Sequence, residues 1–96
     1  MAEHELEVEI VAEDRFVWSG PAQSVSARTI DGEIGILPGH VPMLAVLAAG
    51  DLEIEPVSGP RFTVQVDGGF FSVDADRVVI VADNAVMADS APAGTR

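Results

Sequence analysis

The sequence predicts an all-β domain, a flattened β-sandwich or barrel of about eight to ten mostly antiparallel strands. Three observations lead there. Apolar and polar residues alternate in short runs such as Leu6-Glu7-Val8-Glu9-Ile10, the period of two that gives a strand one wet face and one buried face. Turn signals separate these runs roughly every eight to twelve residues. No long amphipathic helical stretch is present, because Asp83, Asn84, Asp89, Ser90 and Pro92 break any stripe in the apolar stretch Ala82–Ala93.

The first strand is expected over Leu6, Val8 and Ile10. A short second strand, Phe16-Val17-Trp18-Ser19, follows Glu13-Asp14-Arg15, pairs with the first and is stopped by Gly20-Pro21. Val25, Ala27 and Thr29 alternate with Ser24, Ser26 and Arg28 until Asp31-Gly32 breaks the pattern. Beyond the central segment, Leu52 and Ile54 alternate with Asp51, Glu53 and Glu55, and Phe62, Val64 and Val66 with Thr63 and Gln65. Asp67-Gly68-Gly69 is a turn before Phe70-Phe71-Ser72-Val73, and Asp74-Ala75-Asp76 another. Val78-Val79-Ile80-Val81 is a continuous apolar run, suited to a strand covered on both faces. The expected organisation is one β-sandwich domain over residues 1–89 and a flexible tail over 90–96.

The chain has 96 residues, 48% of them hydrophobic, which allows one core of branched aliphatic side chains. Sixteen acidic residues face five arginines and no lysine, for a net charge of −11. Nucleic-acid binding needs a basic face that releases counterions from phosphates, so that partner is excluded, as is an anionic membrane surface. The acidity itself reads as a solvated surface. Without cysteine there are no disulfides, zinc–thiolate sites or thiol catalysis. Met1–Glu13 is too acidic for a signal peptide. The apolar run Val41–Ala49 is far short of the roughly 20 residues that span a bilayer, so a soluble chain without direct membrane insertion is expected.

Catalytic, cofactor-binding and metal-binding groups are not expected. His4 lies near the terminus, and His40 sits in a loop with no neighbour that supplies a nucleophilic triad. The pairs Glu7/Glu9 and Glu53/Glu55 fall on wet strand faces and read as edge protection. Asp74-Ala75-Asp76 lacks the glycine and distal glutamate of a calcium loop. Gly32-Glu33-Ile34-Gly35 and Pro38-Gly39-His40 lack the following helix and the lysine that a phosphate cradle needs.

The central segment Asp31–Gly50 holds four glycines and two prolines among eleven apolar residues. Glycines 32, 35, 39 and 50 suit bends between sheets, and Pro38 and Pro42 suit loop or edge positions. Ile34, Ile36 and Leu37 would fill the core of such a corner. Val41, Met43 and Leu44 are crowded with almost no polar spacing, so part of that surface should face outward as a docking site. On composition, core and interface stay equally open.

The ordered set Gly32-Glu33-Ile34-Gly35-Ile36-Leu37-Pro38-Gly39-His40-Val41-Pro42-Met43-Leu44 strongly resembles the signature of the epsilon subunit of bacterial F-type ATP synthase, delta in mitochondria. Leu6–Val11, Val17-Trp18-Ser19-Gly20, Gly50-Asp51-Leu52, Gly68-Gly69-Phe70 and Val79–Asp83 agree with it. The likeness extends from about Leu6 to Ala85. It implies a ten-stranded β-sandwich in the central stalk, bound to the gamma subunit and seated on the c-ring. Such a subunit is non-catalytic, turns with the rotor, and couples proton transport to ATP synthesis at the cytoplasmic face of the bacterial plasma membrane. Carried along the motif, Asp31, Gly32, Glu33 and Ile34 would face the c-ring, and His40, Val41, Pro42, Met43 and Leu44 the gamma subunit. Family members usually continue into two C-terminal helices that restrain hydrolysis, and no helical pattern follows here, so that inhibitory function and any ATP site are expected to be absent. The alternatives are a free-standing acidic ligand binder or enzyme using His40 with Asp31 or Glu33, and an acidic module that mimics a polyanion.

Overall fold

The computed structural model describes residues 5–13 and 15–88, so His4 and the expected tail 90–96 lie outside the described residues. All regular structure within them is strand: β1 (Leu6–Ala12), β2 (Arg15–Thr29), β3 (Gly32–Ile36), β4 (Met43–Leu47), β5 (Gly50–Pro56), β6 (Phe62–Val66), β7 (Gly69–Asp74), β8 (Arg77–Ala82) and β9 (Ala85–Ala88). The all-β expectation is met. β1 and β8 run parallel, and the other pairings are antiparallel.

Two layers share one strand. The first part of β2 pairs with β1 as far as Ala22, and the second part pairs with β5 and β3. One layer therefore runs β2–β1–β8–β7–β4, and the other β3–β2–β5–β6–β9. A Thr29–Leu47 pairing joins β2 to β4. Between the layers lies an aliphatic core: Leu6, Ile10 and Ile80 from the first meet Ile36, Leu52 and Ile54 from the second, all buried, around Phe71.

The expected stop at Gly20-Pro21 is overturned, because β2 runs straight through it. A proline lacks only the donor, and here the Pro21 carbonyl accepts from the Val57 N–H at 3.1 Å. Gly20 leaves room for the Trp18 indole, since a Cβ there would stand 3.0 Å from its ring. Trp18 in turn meets Phe62 edge-on, with centroids 5.0 Å apart.

Four other expectations are corrected. Leu37 does not fill the core but stands 61% exposed where β3 gives way to a loop, whereas Ile36 is fully buried. Val78–Val81 is covered by this chain on one face only: Val78 and Ile80 are buried, and Val81 is exposed. Glu7/Glu9 and Glu53/Glu55 do not protect edges, because β1 lies between β2 and β8, and β5 between β2 and β6. Ala85–Ala88, where no element is expected, is a strand on β6. The Asp74-Ala75-Asp76 hairpin is as expected, with Ala75 and Asp76 at φ of 52° and 65°. Asp67-Gly68-Gly69 also turns the chain, but it passes from one layer to the other.

Candidate docking surface

The hairpin between β2 and β3 carries the first set of expected contact residues. Its turn is closed by Thr29, whose hydroxyl donates to the Gly32 carbonyl at 2.8 Å and accepts from the Asp31 N–H at 3.1 Å. Gly32 adopts φ of 125°, a conformation that side chains disfavour. Asp31, Gly32 and Glu33 are exposed at this tip, and Ile34 leans onto the core. Glu33 meets Arg28 across the ladder at 3.3 Å, an exposed ion pair of small energetic weight.

The second set lies on the loop 37–42 and the start of β4. Gly39 takes φ of 90°, and Gly35 has no such φ and sits in the β3 ladder opposite Ser26. The His40 N–H closes a turn onto the Leu37 carbonyl at 3.1 Å. The His40 ring lies with Nδ1 2.7 Å from the Val41 carbonyl, to which the Nδ1–H tautomer donates. Val41 and Leu44 are 69% and 72% exposed, whereas Met43 packs against the core.

Tertiary structure brings the two sets together only in part. An open groove of about 480 Å³ has residues 29–34 on one side and Met43, Leu44, Ala45, Val46 and Phe70 on the other. His40, Val41 and Pro42 do not line it.

The apolar surface extends well beyond the motif, into residues that sequence reasoning missed. Outward positions of five adjacent chain segments stand in register: Val46 opposite Phe70, Phe70 opposite Val81, Val81 opposite Val11, and Val11 opposite Phe16. Val46, Phe70, Val81 and Phe16 are all exposed. The Ile30 N–H donates to the Val46 carbonyl at 3.2 Å, which sets a further exposed apolar residue at the end of the row. A bulge between Ile10 and Val11 skips Val17 and turns Phe16 onto this face. One signal was legible: the unbroken run Val78–Val81 means an apolar outer face as well as an apolar inner one.

The outer face of the other layer is different in kind. Asp51, Glu53, Glu33, Arg28, Ser26 and Gly35 line a shallow depression of about 290 Å³ there. Among the described residues, no group of three or more His, Cys, Asp or Glu is arranged to hold a metal ion. His40 lines neither this depression nor the groove.

The family described as "ATP synthase, Delta/Epsilon chain, beta-sandwich domain" matches residues 5–88. The ATP synthase epsilon chain of Micrococcus luteus is 60% identical over 89 residues, which are 93% of this chain and 98% of that relative. That of Corynebacterium diphtheriae is 45% identical over 86 residues, 88% of this chain and 70% of the relative. Among solved structures, a chain of the Euglena gracilis mitochondrial ATP synthase, in a structure of OSCP, F1 and c-ring, superposes with a TM-score of 0.82 at 30% identity. The superposition covers 88% of this chain and 54% of that one. A chain of the Tetrahymena thermophila mitochondrial ATP synthase central stalk and c-ring gives 0.71 at 21% identity, over 98% and 78% of the two chains, which speaks to the fold alone. None of these relatives supports a free-standing enzyme or ligand binder built on His40. With the motif, the shared-strand sandwich and a match over nearly its whole length, the chain belongs to the family of ATP synthase delta/epsilon chains, in their β-sandwich domain.

Proposed function

We propose that the chain is the epsilon-type subunit of a proton-translocating F-type ATP synthase, a non-catalytic part of the central stalk that joins the gamma subunit to the c-ring. It turns with the rotor, peripheral to the plasma membrane on its cytoplasmic face. The observation that carries this reading is the registered apolar row from Val46 to Phe16 on a chain of this family. A row of exposed apolar side chains across a sheet is a surface for a protein partner, and gamma covers it, together with Leu44, Val41 and the loop around His40. The exposed tip Asp31–Ile34 is the part that reaches the polar loops of the c-ring.

The test is co-purification with the gamma subunit, comparing wild type with the double variant Val46→Asp, Phe70→Asp. Each apolar side chain removed from an interface costs roughly 1.5–3 kcal/mol, so two together should weaken the complex by about a hundredfold or more. Met43 is avoided because it packs on the core. Undiminished binding by the folded double variant sinks the proposed face. The division of partners has its own test in Asp31→Arg with Glu33→Arg. ATP-driven proton pumping should fall while gamma still co-purifies, and equal loss of both would count against a c-ring role for the tip.

A further inference from the structure

The loop 37–42 presents Leu37 and Val41 to solvent, yet none of its six residues is fully buried. Core packing therefore does little to hold it, and Pro38 and Pro42 contribute no N–H. The loop is instead tied to a distant turn. The Gly39 N–H donates to Oδ1 of Asp76 at 2.7 Å, across 37 positions of sequence. Asp76 lies in the β7–β8 hairpin turn at φ of 65°, a left-handed conformation that Asp, Asn and Gly tolerate better than other residues. Its own carbonyl accepts from the Glu7 N–H at 2.8 Å, so the turn is fixed to the start of β1. The anchor therefore stands on a turn hydrogen-bonded to the sheet, and its side chain reaches out to the loop.

We infer that Asp76 is a positioning residue: its carboxylate holds the loop 37–42 in the shape in which Val41 docks on the gamma subunit. The inference rests on the functional reading above and adds a residue that lies outside the motif. A loop already ordered in its bound shape loses less freedom on binding, which favours affinity. The left-handed φ supplies a clean pair of variants. Asp76→Gly keeps or eases the backbone conformation and removes the acceptor. Asp76→Asn keeps both the conformation and an Oδ1 acceptor.

Three quantities would be read on the full chain: exchange of the Gly39 amide by NMR, melting temperature, and Kd for purified gamma subunit. Asp76→Gly should speed Gly39 exchange and raise Kd, each by roughly three- to tenfold, the scale of one hydrogen bond, with Tm unchanged or higher. Asp76→Asn should return both to within about twofold of wild type. Unchanged Gly39 exchange in Asp76→Gly overturns the anchor. Faster exchange with an unchanged Kd overturns its role in docking, as does a loss of affinity that tracks a fall in Tm in both variants. A wild-type chain that binds no gamma overturns the functional reading and the docking half of the inference together. The exchange measurement on the isolated chain then still decides the anchor.

Discussion

The two outer faces of this sandwich are built by the same alternation and differ in what the alternation places outside. On the β2–β1–β8–β7–β4 layer, the outward positions include Phe16, Val81, Phe70 and Val46. On the β3–β2–β5–β6–β9 layer they include Glu33, Asp51 and Glu53, beside Arg28 and Ser26. The second face is mainly polar and readily solvated, with Val86 exposed on β9 at its edge. The first face leaves several large apolar side chains in water, which a solitary domain has no reason to keep together in one row. The contrast shows that net charge describes only half of this surface. A chain at −11 still carries an apolar row, although Glu7 and Glu9 share that outer face further along β1.

Adjacent phenylalanines sharpen the comparison most. Phe71 is 1% exposed and Phe70 54% exposed on the same strand. Phe71→Ala should cost about 3–5 kcal/mol of folding stability, seen as a large fall in the denaturation midpoint. Phe70→Ala should cost about 1 kcal/mol or less and should instead weaken gamma binding. Equal destabilisation by the two would mean that the outer row is structural.

A smaller effect tests the acidic face. Glu53→Gln should leave both stability within about 0.5 kcal/mol and gamma affinity unchanged. If that face stays wet in the complex, gamma binding should also change little between low and moderate salt. A steep loss of affinity with rising salt would break the comparison, since screening weakens contacts between exposed charges most. It would favour the polyanion mimic instead.

The hairpin Asp74-Ala75-Asp76 and the strand runs around Leu6, Val25, Leu52, Phe62 and Phe71 were legible because period and turn chemistry are local properties. The exposed ends of the docking segment were legible too, in the crowding of Val41 and Leu44 around Pro42. The exposure of Leu37 is not legible, because an apolar side chain next to a buried Ile36 has the same composition whether the strand continues or ends. Whether Pro21 stops a strand depends on whether the fold asks it to donate or to accept, which its neighbours in sequence do not reveal. β9 escaped notice because Ala85–Ala88 is strand only by virtue of its pairing with β6.

By itself, the sequence determined the all-β class, the position of the hairpin tip, and a crowded apolar segment at Gly32–Leu44. Each follows from near-neighbour periodicity, turn chemistry or composition, and the ordered motif tied them to a family. Only the tertiary structure decided that Val46, Phe70, Val81, Val11 and Phe16 form one row, and that Asp76 reaches Gly39. Most of these residues are distant in the chain, and register brings them together. Phe16 joins the row because a single bulge at Val17 reverses which side of the strand faces out.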